Sequence, residues 1–313
     1  MQIVQGIDQF RQVCTGETFV ALGNFDGVHV GHRKIIDTTV SAARRAGGTS
    51  AVLIFMPHPL SVLCPDRAPL LLQTVEDRIR MLGEAGVDYV IVHPFTREFA
   101  STVPEVFAAD ILAGKLGATG VVVGYDYSFG QRGTGTPQKL QRYGEGLGFW
   151  VHIVDPVSVD GVPVGSSVIR GYLSEGRVTA AAGMLGYPFF LRGQVVHGDG
   201  RGRQLGFPTA NVHVDCDIIR PANGVYLTEA VTEGQRAWAL TNVGKRPTFC
   251  KEDGSVEVHL LDLKKNLYGN ELIVRFLQKI REEQAFRTAD ELASQIRQDV
   301  ELARSLIARG FSH

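Results

Sequence analysis

The sequence predicts an α/β domain followed by an antiparallel β domain, and three observations lead to that prediction. The chain has 313 residues, more than the roughly 250–300 residues that one hydrophobic core usually spans, so we expect two domains. In the first half, short apolar segments alternate with amphipathic ones, as they do in parallel sheets covered by helices. After about residue 185 the links between apolar segments become short and rich in turn residues, which is typical of antiparallel strands.

The first domain is expected to contain five strands and four helices. Its strand segments are rich in β-branched or aromatic residues; they are Phe19–Gly23, Ser50–Phe55, Tyr89–His93, Val121–Gly124 and Trp150–Val154. The helical segments between them are His32–Arg45, Val75–Ala85, Pro104–Leu116 and Pro137–Gly144. Thr74 with Asp77, and Thr102 with Glu105, supply a hydroxyl and a carboxylate at the spacing that begins a helix. This alternation predicts a parallel sheet with helices on both faces.

The second domain is expected to be a small antiparallel barrel that ends in one long helix. Its strand segments are Phe189–His197, Gly224–Val231, Ala237–Val243, Val256–Leu263 and Glu271–Phe276. Thr288 and Glu291 form a capping box. An apolar stripe follows it on one helix face, which we expect to pack against the barrel; its residues are Leu292, Ile296, Val300, Ala303 and Ile307. The boundary is expected between residues 165 and 188, and we place the domains at 1–185 and 186–313.

Composition and charge exclude several classes of protein. The 32 Lys and Arg residues nearly balance the 33 Asp and Glu residues, which argues against a duplex nucleic acid as partner. The four cysteines form no CxxC pair, so neither a zinc ribbon nor a disulfide framework is expected. The N-terminus lacks the pattern of a signal peptide, and no run of 18 apolar residues occurs. We therefore expect a cytoplasmic protein without a membrane partner, and the oligomeric state stays open.

The first group of candidate functional residues lies in residues 22–32, LGNFDGVHVGH, where the first strand passes into a helix. Open α/β sheets bind ligands at the carboxyl ends of their strands, and a helix N-terminus there favours an anion. Three glycines allow the backbone to approach a phosphate, and His29 and His32 can face the same anion. Attack of one phosphate on another needs positioning and hydrogen-bond donors rather than a covalent intermediate. The alternatives are that each histidine only caps or packs, or that the two bind a metal.

GNFDGVHVGH resembles the GxFDGxHxGH signature of the HxGH nucleotidyltransferases, in particular of the FMN adenylyltransferase module. Three later segments continue the resemblance in chain order. FMPHP at 55–59 is similar to TFxPHP, VGYDYSFG at 123–130 to VGxDxxFG, and GSSVIR at 165–170 to SSTxIR. In the last segment, Gly165 stands where the family has serine and Ser167 where it has threonine. The resemblance implies a Rossmann-like domain that transfers an adenylyl group from ATP.

The resemblance also implies roles for individual residues. His29, His32 and Arg170 would be catalytic, with the Arg170 guanidinium forking onto triphosphate oxygens. ATP and its phosphates would be bound by Gly23, Phe25, Asp26, Gly27, Gly31, Ser166 and Ser167. The flavin would be bound by Pro57, His58, Asp126 and Phe129. The alternatives are a surface position for Arg170, a turn position for Asp126, core packing for Phe129 and a stiffened turn at His58.

The second group lies in residues 193–211, GQVVHGDGRGRQLGFPTAN, where a strand runs into a glycine-rich loop. Such a loop exposes backbone N–H groups that can wrap phosphates. The P-loop pattern GxxxxGK[ST] is absent from the sequence, and GxGxxG is a poor match. Thr209 and Asn211 are two residues apart and face the same side of an extended strand. Their oxygens suit Mg²⁺, although an ordinary turn is the alternative.

GRQLGFPTAN resembles the GxxxGxPTAN signature of riboflavin kinase, which is a six-stranded barrel. Later segments are similar to other motifs of that family: NGVY at 223–226, NVGKRPTF at 242–249, VEVH at 256–259 with LYG at 267–269, and REEQAF at 281–286. The resemblance makes Glu257 the general base that takes the proton of the ribityl hydroxyl. It assigns Mg²⁺ to Thr209 and Asn211, flavin to Arg281, and phosphate to Gly198, Gly200, Gly206 and Pro208. Alternation alone would make Glu257 an exposed strand residue.

Taken together, the two modules resemble the prokaryotic bifunctional riboflavin kinase/FMN adenylyltransferases, also called FAD synthetases. The resemblance implies that riboflavin and ATP give FMN in the C-terminal barrel, and that FMN and ATP then give FAD and pyrophosphate in the N-terminal domain. One alternative is a flavin-binding regulator with one vestigial catalytic half. Another is a nucleotidyltransferase with a different acceptor, such as phosphopantetheine or nicotinamide mononucleotide.

Overall fold

The computed structural model describes residues 1–198, 202, 205–245, 254–261, 263, 265 and 267–310. By their contacts the residues form two compact units, Met1–Ser166 and Ser167–His313. Within the described residues, every helix is too short or too polar to cross a membrane.

The first unit contains a six-stranded sheet in which all neighbouring strands are parallel. Its strands are β1 (Gln2–Gln5), β2 (Thr18–Leu22), β3 (Thr49–Met56), β4 (Tyr89–Pro94), β5 (Ala118–Gly124) and β6 (Trp150–Val154). After β6, the strands β7 (Ser158–Val159) and β8 (Val162–Pro163) form a separate hairpin. The order across the sheet is β1-β4-β3-β2-β5-β6. The direction of winding reverses between β2 and β5, so a crevice opens at their carboxyl ends, where sheets of this class bind ligands.

Helices cover both faces of this sheet, which confirms the predicted α/β fold. They are α1 (Ile7–Val13), α2 (Val30–Ala46), α3 (Pro59–Leu63), α4 (Val75–Glu84), α5 (Arg97–Ala100), α6 (Pro104–Val106) and α7 (Pro137–Leu147). One core cluster includes Phe10, Phe107 and Leu140. A second cluster includes Ile36 and Leu82. Burial of both sheet faces explains why the strand segments are apolar almost throughout.

Several local features of this unit differ from the prediction, and the short elements α3, α5, β7 and β8 were not predicted either. The strand β1 and the helix α1 were not predicted. The strand β1 buries only Val4 and so shows no alternating pattern. The helix predicted from Pro104 to Leu116 is α-helical only over α6 and continues as a π-helix over Phe107–Lys115. Apolar spacing does not distinguish the two helix types over so short a stretch.

The two predicted helix starts of this unit have opposite outcomes. Thr74 caps α4, since its Oγ1 accepts a hydrogen bond from the Asp77 backbone N–H at 3.1 Å. The predicted cap by Thr102 is wrong: Val103 occupies the capping position and makes no side-chain cap. Pro104 accounts for the shift of the helix start, because its fixed φ and missing N–H suit the first helical position.

The second unit is a closed antiparallel barrel of six strands, as the resemblance to riboflavin kinase implied. Its strands are β9 (Phe190–Val196), β10 (Ala210–His213), β11 (Gly224–Thr232), β12 (Gln235–Lys245), β13 (Gly254–Leu260) and β14 (Glu271–Arg281). They close in the order β10-β13-β12-β11-β14-β9, with β9 also paired to β10. The short strand β10, which carries Asn211, was not predicted from the pattern as a separate strand.

Among the described residues, the rest of the chain also forms the helices α8 (Ser166–Ser174), α9 (Val178–Leu185) and α10 (Ala289–Ala308). The predicted packing face of α10 is confirmed for Val300, Ala303 and Ile307, which belong to one apolar cluster with Val225, Leu227 and Leu240 of the barrel. Thr288 caps this helix as predicted, with Oγ1 3.2 Å from the Glu291 nitrogen. By their contacts, α9 and nearly all of α8 belong to the second unit, whereas a boundary at residue 185 stays a prediction.

Candidate active sites

The loop between β2 and α2 has an unusual backbone. Phe25 and Val28 have φ values of 51° and 35°, and Gly27 has a φ of 85°. Glycine adopts this left-handed region readily, but a β-branched residue such as valine does so rarely. Positive φ at two non-glycine residues within four positions indicates a strained loop, and strain of this kind often occurs at functional sites.

The loop brings the two predicted histidines together at the start of α2. His29 is the N-cap residue, and its Nδ1 accepts a hydrogen bond from the His32 backbone N–H at 3.2 Å. The two imidazole rings stack with their centroids 3.5 Å apart and their planes 12° from parallel. The Phe25 ring lies 5.2 Å from the ring of His32. The pair therefore forms one flat imidazole stack at a helix N-terminus, where the helix dipole favours an anion.

Hydrogen bonding and burial fix the protonation of this pair. Since Nδ1 of His29 is an acceptor, the neutral ring carries its hydrogen on Nε2 and can donate it to an oxygen. The pKa of His32 lies well below its ordinary value of 6.5, because burial opposes the charged ring and the electrostatic effects of His29 and Arg78 lower the pKa further. At neutral pH the His32 ring is therefore neutral.

Asp26, for which the resemblance implies a contact with ATP, has a buried carboxylate that already contacts other groups of the protein. It accepts hydrogen bonds from the Leu72 backbone N–H at 3.0 and 3.2 Å and lies 3.4 Å from an Nη atom of Arg78. A hydroxyl assigned to ATP, that of Ser166, donates to the Asp26 carbonyl at 2.9 Å. The Asp26 side chain therefore holds the loop, and a phosphate would gain nothing from its negative charge.

The segment FMPHP at 55–59 contacts the loop between β2 and α2. His58 caps α3 by accepting from the Leu60 N–H through Nδ1 at 3.2 Å, and its Nε2 lies 3.4 Å from the side-chain amide of Asn24. The atom of the Asn24 amide that approaches His58 is its nitrogen, Nδ2. The exposed Pro57 directly precedes this cap. The first and second loops are thus joined by one side-chain contact.

The other predicted residues of the first reaction are more scattered. Asp126 is exposed just beyond β5. Phe129 is only 6% exposed and packs against Phe107 and Tyr127, so the core-packing alternative describes its present contacts and flavin contact stays a prediction. Ser167 is exposed and Arg170 half-buried on α8 in the second unit, and their roles in adenylyl transfer also stay predictions.

In the second unit, the strand register lines up three polar residues across neighbouring strands. Asn211 on β10 pairs with Glu257 on β13, which in turn pairs with Asn242 on β12. Paired residues of adjacent strands share one face of a sheet, so these three side chains form a row. Val256 and Val258, at 1% and 0% exposure, point to the opposite face. Asn242 was not predicted as a site residue, although it begins the quoted segment NVGKRPTF.

The glycine-rich segment lies directly against this row. A Cβ atom at Gly198 would come within 2.0 Å of the Asn211 amide, and one at Gly202 within 3.3 Å of the Thr209 hydroxyl. Glycine at these positions therefore lets the backbone touch the two predicted metal ligands. Gly200 lies outside the described residues. Thr209 is half-exposed, and Asn211 is 9% exposed beside Glu257, so apolar packing does not seal off this pair.

The remaining predicted residues of the barrel surround the segment that carries Thr209. Gly206 has a φ of 85° and forms the turn before it. The carbonyl of Pro208 lies 2.9 Å from Nδ1 of His259, the last residue of the VEVH segment. This contact ties the PTAN segment to β13.

Arg281, which was assigned to flavin, makes a forked contact with Asp299 of α10. Its Nε lies 3.0 Å from both carboxylate oxygens, its Nη2 lies 2.9 Å from Oδ2, and its Nη1 donates to the carbonyl of Glu282 at 2.9 Å. Its guanidinium therefore fixes α10 to the end of β14. Direct contact of Arg281 with flavin stays a prediction.

Comparisons with known proteins give a consistent result for both units. A family model described as FAD synthetase matches residues 11–168, and one described as riboflavin kinase matches residues 185–307. Proteins named bifunctional riboflavin kinase/FMN adenylyltransferase are similar along nearly their whole length. The Escherichia coli K12 protein is 36% identical over 97% of both chains, and the Pseudomonas fluorescens protein is 38% identical over 98% of both. A crystal structure from Streptococcus pneumoniae, titled as a macrolide-efflux protein, has a TM-score of 0.87 and 32% identity and covers 96% of this chain and 98% of that one.

Proposed function

The chain belongs to the bifunctional riboflavin kinase/FMN adenylyltransferase family, and we propose that the two polar constellations described above carry out its two reactions. As a bifunctional enzyme, the protein phosphorylates riboflavin to FMN and transfers an adenylyl group to FMN to give FAD. The observation that carries the assignment is that each unit has its own constellation: the stacked His29 and His32 in the first, and Asn211 opposite Glu257 in the second.

In the proposed adenylyl transfer, a phosphate oxygen of FMN attacks the α-phosphorus of ATP. The bond from that phosphorus to the oxygen bridging it to the β-phosphorus breaks, and pyrophosphate leaves with the electron pair. The Nε2–H of His29 and the first N–H groups of α2 donate to the phosphate oxygens, on which charge develops. An imidazole N–H serves here because the reaction needs hydrogen-bond donors and positioning rather than a proton acceptor. Arg170 supplies positive charge to the triphosphate in this proposal.

In the proposed kinase reaction, the 5′-hydroxyl oxygen of riboflavin attacks the γ-phosphorus of ATP, and ADP leaves. Glu257 accepts the hydroxyl proton as the new bond forms. Asn211 and Asn242 flank it on the neighbouring strands and limit the directions in which its carboxylate can point. The backbone of the glycine-rich segment is available to bind phosphate oxygens.

The donor set of the second unit fits Mg²⁺. The Thr209 hydroxyl and the Asn211 amide offer hard oxygen ligands, and the missing side chain of Gly198 lets the backbone approach the Asn211 amide closely. Thr209 and Asn211 would hold the ion together with phosphate oxygens of the nucleotide. Bound there, Mg²⁺ would neutralise charge on the phosphates.

We propose a cytoplasmic setting, with riboflavin, FMN and ATP as partners and with neither nucleic acid nor membrane. The formal net charge of −1 supports the absence of a nucleic-acid partner. Among the described residues, Cys14, Cys64 and Cys216 are free thiols, as expected in a reducing compartment.

Two variants test the assignment of the reactions to the sites. His29→Ala is expected to lower FAD formation from FMN and ATP by at least about 100-fold and to leave FMN formation unchanged, because it removes a donor to the transition state. Glu257→Gln is expected to lower FMN formation from riboflavin by at least about 100-fold and to leave adenylyl transfer to added FMN unchanged, because the amide cannot accept the proton. Chromatography of the flavins measures both rates. Loss of both products in either variant would contradict separate sites.

A further inference from the structure

We infer that Arg78 is a positioning residue for adenylyl transfer: it holds the strained loop that carries His29 in its active conformation. The inference rests on the proposed assignment of adenylyl transfer to His29 and His32. Arg78 belongs to α4 and to none of the sequence motifs quoted above, and its guanidinium contacts the loop.

The contacts of Arg78 bracket the strained part of the loop. Its Nη1 donates to the carbonyl of Asn24 at 3.0 Å, and its Nη2 lies 3.4 Å from the carboxylate of Asp26. Phe25, with a φ of 51°, lies between these two residues. Both charged side chains are buried, with exposures of 1% for Arg78 and 2% for Asp26. The rigid fork of a guanidinium can hold two such acceptors at once.

A conformation of this kind needs such support. Residues with positive φ persist only where the surroundings determine their geometry, because they relax when those contacts are lost. Asp26 is held further by the Leu72 N–H. Arg78 contributes to both anchor points of the loop, the backbone at Asn24 and the side chain at Asp26.

The loop transmits this support directly to the histidines. Val28, the second strained residue, immediately precedes His29. The Phe25 ring packs 5.2 Å from the ring of His32. Relaxation of the loop would therefore move both imidazoles relative to the substrate. A displacement of about 1 Å in a catalytic group can lower a rate about 100-fold.

The test replaces Arg78 and compares it with a matched arginine of the same helix. Arg80 lies two residues further along, has a half-exposed side chain and pairs with Asp77. In Arg78→Met we expect kcat for FAD formation from FMN to fall about 100-fold, with KM for ATP and FMN changed by less than about threefold, because the histidines act on the transition state. Arg80→Met is expected to retain kcat. Riboflavin kinase activity is expected to be unchanged in both variants.

A conservative variant separates positioning from folding. Arg78→Lys keeps the charge but loses the fork, so we expect its kcat to lie about tenfold below the parent and about tenfold above Arg78→Met. If Arg78→Met fails to fold, as judged by urea unfolding of the first unit, Arg78→Lys decides the question. The inference is overturned if Arg78→Lys has the kcat of the parent, or if folded Arg78→Met keeps kcat and changes only KM. If His29→Ala still makes FAD, it is instead the proposed function that fails.

Discussion

Among single side chains, His32 links the chemistry of the first unit to its stability. Its ring is stacked on His29, and its pKa lies well below 6.5 because burial, and to a lesser extent the electrostatic effects of His29 and Arg78, oppose protonation. In the unfolded chain the same histidine titrates normally. Between pH 6.5 and the lower pKa of the folded protein, the unfolded state therefore binds a proton that the folded state does not.

This difference predicts a loss of stability in mild acid. The contribution of His32 to stability is fully present above pH 6.5 and is lost as the pH falls below it, by up to about 1.4 kcal/mol per pH unit. We expect His32→Gln to show a smaller fall in its urea midpoint than the parent between pH 7.5 and 5.5. Trp150 fluorescence measures this in a Trp238→Phe background, because the chain has only two tryptophans.

The exposed His152 provides the control for this measurement, since its side chain is open to water in the same unit. His152→Gln is expected to keep the full pH dependence of the parent. An equal fall of the urea midpoint in His32→Gln and the parent would show that His32 titrates normally in the folded protein.

Short motifs made some site residues predictable from the sequence and left others hidden. His29 and His32 lie three residues apart, so a local pattern brings them together. Arg78 and Asp26 are 52 residues apart, and on its helix Arg78 looks like an ordinary solvated residue. The contact of Gly198 with Asn211 depends on a barrel register that spacing alone does not give.

For helices, the hydroxyl–carboxylate spacing proved to be a partial guide. Thr74 and Thr102 begin similar four-residue patterns, but only Thr74 caps a helix. The proline at 104 moves the helix start by one residue and leaves Thr102 outside it. A pattern that ignores which residue occupies the first helical position therefore predicts one cap too many.

This pair gives a matched test of capping. Thr74→Ala is expected to destabilise the first unit by about 1 kcal/mol, because the Asp77 N–H loses its acceptor. Thr102→Ala is expected to change stability by less than about 0.5 kcal/mol. Urea unfolding at pH 7.5 in the same Trp238→Phe background measures both. Equal losses of stability in the two variants would mean that the capping hydrogen bond of Thr74 does not stabilise the unit.

The strands β1 and β10, which were not predicted, share a physical cause. The strand β1 lies at the edge of its sheet and buries a single residue, and β10 has only four residues. Such strands show neither a long apolar run nor a clear alternation. Their place is decided by pairing with strands that lie far away in the sequence, β4 and β13.

For the chain as a whole, two compact units correspond to two family models, and each unit carries its own polar constellation. The α/β and barrel classes were predictable because strand–helix alternation and short turn-rich links are local properties of a sequence. The border between the units was harder to predict, because the sequences of α8 and α9 do not show which of the two units these helices pack against. By their contacts they belong with the barrel, whereas the riboflavin kinase model begins only at residue 185.

Complementation between variants tests the two-site account most directly. Riboflavin, ATP and Mg²⁺ are incubated with His29→Ala alone, with Glu257→Gln alone, and with an equal mixture of the two, and the flavins are separated by chromatography. We predict that the first variant stops at FMN, that the second leaves riboflavin unchanged, and that the mixture makes FAD, because released FMN can reach the intact site of the other molecule. A mixture that makes no FAD, or either variant making FAD from riboflavin on its own, would contradict the account.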